Sequence, residues 1–402
     1  MSDATKLSLF WFFYFGGVGI YFPYFSLYLR ENAALDGTQV GLVLAIVPLV
    51  GALLQPLWGQ LADRTGARGR VLALTTTGAA LGFYGLGWAQ SFAALLLASA
   101  LLAGFATPII PLISSVSLAV LREGGAQAFG RTRVWGTLGF LLLVVAFPYG
   151  LDLYQRAHAI AAVPGGPSEP ALAIMFPIIA VFTLAAAAIS LTFPRAGAIA
   201  LRAQPREWRL LLRHPPMRRL VAYTMLAYLF LQGPMAFFPV YVTNRGGSID
   251  TVGQMWVVML LLEIPLIAYA GASVRRIGAQ GLFQLGVFLA GVRWLVCGFS
   301  DNLAVIFPIQ TVHAVAVAGL ALGAPLYLDA IVPERLRSTG QSILVVGVGL
   351  GGVVSTTATG WLLDNVGIDA PYLIGGAGAV LLGLGGRRLL PPPQRLVLDD
   401  AA

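Results

Sequence analysis

Charge is scarce in this chain. Only 10% of its 402 residues are Asp, Glu, Lys or Arg, against about 25% in an ordinary soluble domain. A soluble fold does not account for so little charge over this length. Cysteine is nearly missing. Cys297 is the single one and lies inside an apolar stretch, which excludes a disulfide framework and a multi-cysteine metal site. The three histidines, His158, His214 and His313, are scattered and form no H-E-x-x-H, so no zinc-protease helix is written here. There is no G-x-x-x-x-G-K-S/T phosphate loop and no G-x-S-x-G elbow. Direct use of ATP and serine-hydrolase chemistry are therefore not expected.

Apolar residues take the place of the missing charge. They make up 58% of the chain and recur in continuous runs of roughly 20 residues, the length a helix needs to cross a bilayer. A membrane β-barrel would instead alternate polar and apolar residues over strands of about 10. The expected fold is an all-α membrane protein with twelve transmembrane helices, at 7–29, 38–60, 71–89, 91–120, 128–151, 171–193, 220–243, 249–272, 280–299, 303–330, 340–362 and 370–390. Leu7 to Leu29 reads as the first span rather than a cleaved leader, because no small-residue cleavage site follows a short core. Scattered Gly and Pro fit this picture, since membrane helices tolerate both and small residues let backbones approach.

One linker differs from the rest. Residues 195–219 are polar and carry Arg202, Arg206, Arg209, Arg213, Arg218 and Arg219. They divide the chain into an N-terminal six-helix bundle (1–194), a cytoplasmic central loop (195–219) and a C-terminal six-helix bundle (220–402), the layout of two pseudo-symmetric halves. The net charge of +8 follows from the same placement. With the N-terminus inside, nearly all basic residues fall on the inner side and only Arg30, Arg156 and Arg245 outside. Both termini are thus expected in the cytoplasm, in a cell inner membrane.

Between the second and third runs stands GQLADRTGARGR, Gly59 to Arg70. This resembles the loop signature of the major facilitator superfamily. The resemblance implies a cytoplasmic gate made by Gly59, Asp63, Arg64, Gly66 and Arg70. Gly59 would let helices touch, and Asp63 would accept hydrogen bonds from a helix N-terminus and pair with an arginine. The plain alternative is an Arg-rich inner loop that turns at Gly66. FGRTRVWGTLGF (129–140) and YFGGVGIYFPYFSLYL (14–29) resemble helices 5 and 1 of the lactose permease and phenylpropionate permease branch. Glu263, Arg293 and His313 fall on helices 8, 9 and 10, where that branch places a glutamate, an arginine and a histidine.

These three are the deepest ionisable side chains of the expected spans. Helix rise puts them roughly 18, 10 and 15 Å from the outer surface, within reach of one another inside a core of about 30 Å. A buried arginine keeps its charge, so Glu263 is its expected partner, ionised when paired and protonated when separated. That is an element of proton coupling. A static ion pair with a hydrogen-bonded His313 is the other reading.

In the first half, Arg133 falls where the branch's sugar-binding arginine falls. Phe140 stands two helical turns on, where the lactose permeases stack a tryptophan on the sugar. Tyr24 and Ser115 complete the expected solute contacts; the plain alternative is that Arg133 is a positive-inside anchor and Phe140 faces lipid. Two departures from the branch matter. Ser115 replaces a carboxylate eighteen residues before the arginine, and Ala316 replaces a glutamate one turn after the histidine. The carboxylates of lactose-type recognition are thus missing, and an arginine without its carboxylate partner can accept an anionic solute. Tyr14, Tyr21 and Tyr28 recur every seven residues and either line a pore or pack the bundle.

The expected function is secondary active transport by alternating access. It is read as proton-coupled symport of a small carboxylate, sugar or nucleoside by a monomer, powered by the proton gradient without a cofactor. Its partners are solute, protons and lipid, not nucleic acid. Proton-coupled efflux of amphipathic compounds is the rival, and a membrane-embedded enzyme the remote one.

Overall fold

The structure is a computed structural model. It describes residues 2–121, 125–193, 208–333 and 336–393, and their side chains except at 63, 125–127, 267–275 and 338. The described residues contain helices and no strand. The helices are α1 (Asp3–Leu27, continuing as a π turn Tyr28–Asn32), α2 (Gly37–Thr65), α3 (Arg68–Leu86), α4 (Phe92–Ala106, resuming as Ile109–Val120), α5 (Gly125–Ala157) and α6 (Met175–Ser190). After a short helix Trp208–Arg213 come α7 (Pro215–Ala236, resuming as Phe238–Asn244), α8 and α9 within Ile249–Phe299, α10 (Leu303–Ile331), α11 (Arg337–Asn365) and α12 (Ala370–Leu389).

Local chemistry starts and stops these helices. Asp36 and Gln39 close a reciprocal capping box on α2, and Ser2 and Ser91 cap α1 and α4. Ile249–Phe299 is 51 residues long. As one rod it would run roughly 76 Å at about 1.5 Å per residue, more than twice the hydrocarbon core. Gly278, at φ 72° and ψ 166°, breaks it into α8 (249–277) and α9 (279–299), a conformation that a Cβ would strain.

Nine of the described helices are long and apolar enough to cross a membrane, and ten if α7, bent by 44°, is one span. α3 and α12 are the remaining two of the twelve expected segments. They are helical over 19 and 20 residues, but Gly, Thr and Arg dilute their hydropathy.

The helices pack as two compact units. The first is Met1–Ala200 with Ala236–Val257, and the second Leu201–Met235 with Val258–Ala402. In the first, α1 lies against α5 and α6, and α4 against α2 and α3. The α1–α5 approach is close because both sides are small. A Cβ at Gly19 would come within 2.7 Å of the Phe140 carbonyl oxygen, and one at Gly139 would meet the Phe12 carbonyl oxygen closer still. Within the same unit, Trp256 packs its ring 5.5 Å from Phe22 and 5.6 Å from Phe140.

The tyrosine row on α1 proves to be bundle packing. Tyr14 stacks on Phe10, Tyr21 on Phe25 with Phe83 at its edge, and Tyr28 against Phe176. In the second unit α9 crosses α10 where Gly286 faces Gly319, a Cβ on Gly286 falling 2.7 Å from the Gly319 Cα. Arg293 stands seven residues after that crossing on α9. His313 stands six before it on the antiparallel α10.

Candidate functional site

In the first unit, the α1–α5 contact builds the surroundings of Arg133. Trp11 and Phe15 are four residues apart on α1 and so share a face. The Arg133 guanidinium carbon lies 4.6 Å from the Trp11 ring centre and 4.2 Å from that of Phe15, in cation–π range. The Trp11 indole donates to Ser117 Oγ at 3.4 Å. Ser115 stands half-buried two residues earlier on the same segment. Phe140 lays its backbone against Gly19 of α1, and its side chain is buried and packs on Trp256. Tyr24 is fully buried. Its hydroxyl donates to the Val144 carbonyl at 2.9 Å, and its ring lies 5.4 Å from Phe147. The structure therefore gathers Trp11, Phe15 and Arg133 into one cluster, while Phe140 and Tyr24 pack the helices that hold it. Trp11, Phe15 and Ser117 were not expected there; the four-residue spacing of Trp11 and Phe15 was the available signal.

The second unit holds a buried polar chain. Arg293 is 2% exposed and Gln310 fully buried. Arg293 Nε donates to Gln310 Oε1 at 2.7 Å, and Nη1 meets His313 Nδ1 at 2.8 Å. Nη2 lies 3.6 Å from Met235 Sδ and 3.7 Å from Met259 Sδ. The guanidinium carbon is also 4.0 Å from the Trp294 ring centre. Glu263 is half-buried on α8, one turn after Met259 and on the same helical face. Arg293 and His313 of the expected trio thus meet, with Gln310 added to them. Gln310 precedes His313 by three residues, which is the spacing that could have revealed it. Beside the chain lies a cavity of about 180 Å³. Arg293, His313, Gln232 and Tyr228 supply its polar wall, and Leu231, Val317 and Leu320 part of its apolar wall.

At the inner loop, Gly66 takes φ 62°, the left-handed turn that ends α2. Arg64 and Arg70 are exposed. A Cβ on Gly59 would meet nothing within 4 Å, so the close helix contact expected there is not made among the described residues. The Asp63 side chain and residues 195–207 of the central loop lie outside the described residues. Asp329 and Arg337, which border the loop before α11, face each other at 3.9 Å within the second unit.

The sequence profile of the MFS_1 like family matches residues 4–374. The chain belongs to that family. It is 30% identical over 377 residues to the maltose permease of Geobacillus stearothermophilus, covering 92% of this chain and 91% of the relative. It is 24% identical over 390 residues to the probable 3-phenylpropionic acid transporter of Escherichia coli (strain K12), covering 91% and 93%. Among solved structures, nucleoside transporter NupG superposes with a TM-score of 0.83 at 16% identity, over 98% of this chain and 100% of that one. This MFS_1 like family member is a multi-pass membrane protein with the major facilitator fold. It acts as a secondary transporter of small organic solutes and not as an enzyme.

Proposed function

We propose that this transporter is a proton-coupled symporter of a small polar or anionic organic solute. The observation that carries the reading is the buried chain of Arg293, Gln310 and His313, with Glu263 one helical turn from the Met259 sulfur that touches the arginine. A guanidinium does not discharge, so a nearby carboxylate is held ionised while the two are paired and takes a proton when they part. Glu263 and His313 serve as the proton-handling pair, and Arg133 binds the solute in the first half. The aromatic faces of Trp11 and Phe15 orient its planar fork. The cavity beside Arg293 favours a carboxylate with a small apolar body, because an apolar cavity of about 150 Å³ admits a single ring.

The rest of the reading follows from the sequence. The halves are 1–194 and 220–402, joined by the cytoplasmic loop 195–219. Both termini lie inside, in the cell inner membrane, and Asp63 with its neighbours forms the cytoplasmic gate. The chain works as a monomer by alternating access, with the proton gradient as its energy source and no cofactor.

Uptake into proteoliposomes tests this, with 3-phenylpropionate and maltose as probes and an imposed pH gradient. An inside-alkaline gradient should drive accumulation of 3-phenylpropionate, and a protonophore should abolish it. Accumulation that needs sodium and ignores pH would overturn the coupling. Accumulation of maltose alone would overturn the preference for a carboxylate. Reporter fusions test the orientation. Fusions within 195–219 and at residue 402 should report inside and one near Gly165 outside, and an outward central loop would refute the two-halves layout.

A further inference from the structure

Gln310 neither titrates nor lines the cavity, yet its side chain is fixed at both ends. Its backbone N–H is donated to Phe307 and Pro308, because the helix tightens into a 3-10 turn over Gln310–Val312. In a regular α-helix that N–H would go to the Ile306 carbonyl. The Gln310 side chain fills the gap, donating Nε2–H to Ile306 O at 2.8 Å, with Cys297 Sγ 3.7 Å from the same nitrogen. A carbonyl only accepts, so the amide nitrogen must face Ile306. The amide oxygen is then turned to Arg293 Nε. The reversed amide would set donor against donor and acceptor against acceptor.

The orientation is passed one step further. With Nε held by Gln310, the Arg293 fork is fixed and its Nη1 reaches His313 Nδ1. A guanidinium has donors only, so Nδ1 must present its lone pair and the neutral ring must carry its proton on Nε2. We propose that Gln310 is a positioning residue for His313. Acting through Arg293, it selects the Nε2–H tautomer of the histidine that lines the cavity. Nδ1 becomes able to take a proton only after Arg293 withdraws. The inference concerns the ring's tautomer alone and holds whatever the solute or the coupling ion.

The full chain, labelled with ¹⁵N-histidine in lipid nanodiscs, gives the test. It has three histidines, and the resonances lost in His313→Asn assign His313. The wild type should show a protonated Nε2 and a bare Nδ1. Gln310→Met keeps roughly the volume but removes the amide, and should replace that single signature with mixed tautomers. Gln310→Glu returns an acceptor to Arg293 Nε, though its second oxygen meets the Ile306 carbonyl without a donor, and should restore the Nε2–H form in part. A wild-type His313 protonated on Nδ1 overturns the proposal without any variant, should Gln310→Met fail to fold. An unchanged signature in folded Gln310→Met overturns it too. The slow thiol labelling of the buried, sole Cys297 reports that the fold is kept.

Discussion

Replacing Arg133 by lysine separates a substrate contact from a membrane-surface anchor. The guanidinium stands 4.6 and 4.2 Å from two aromatic rings and is half-buried. Such cation–π contacts contribute about 0.5–1 kcal/mol when exposed and ~2 kcal/mol when desolvated. Lysine keeps the charge and part of that attraction, so folding should change by about 1 kcal/mol or less. Solute binding should change far more. A planar fork makes two charge-assisted hydrogen bonds to one carboxylate, each worth about 1.5–3 kcal/mol, and an ammonium keeps one of them. Arg133→Lys should therefore weaken binding roughly 10- to 150-fold, and Arg133→Ala by more than about 100-fold, since both bonds go. Calorimetric titration of the purified variants with 3-phenylpropionate measures the loss, and thermal melting shows whether the fold persists. If Arg133→Ala, folded as well as wild type, binds within threefold of it, the arginine is an anchor and its resemblance to the sugar-binding residue misleads.

Three further outcomes follow from named groups. Glu263→Gln mimics the protonated acid; it should keep solute exchange but lose accumulation driven by a pH gradient, and gradient-driven accumulation by the variant would remove Glu263 from the coupling. Asp63→Asn should slow turnover in proteoliposomes with little change in solute affinity, whereas lost affinity at unchanged turnover would count against a gate. Glu169, outside the spans, is pushed above the usual carboxylate range first by burial and then by the charges of Asp250, Glu31 and Asp152, against the hydrogen bond from Gln155. A carboxyl with a raised folded-state pKa takes up protons on folding, so its penalty is present at pH above that pKa and is relieved as pH falls through it. Melting curves from pH 8 to 5 should rise less steeply for Glu169→Gln than for wild type, and equal slopes would contradict this.

The membrane class, the helical fold and the family were legible in the chain because each is a local or additive property. Hydropathy accumulates over some twenty residues, and a loop signature such as Gly59 to Arg70 is contiguous. Partner choice was not readable. Arg133 meets rings more than a hundred residues earlier in the chain, and Tyr24 spends its hydroxyl on Val144. Those pairings depend on how nearly two backbones approach, which small residues such as Gly19, Gly139, Gly286 and Gly319 set. Three tyrosines spaced by seven read equally as pore lining or packing until their aromatic neighbours were placed. Gln310 carries no charge and no motif. Its position against Arg293 arises from a 3-10 turn that frees one carbonyl and from a glycine crossing that draws α9 onto α10. Hydrogen-bond direction is a property of atoms in contact, and so it appears only once the helices are packed.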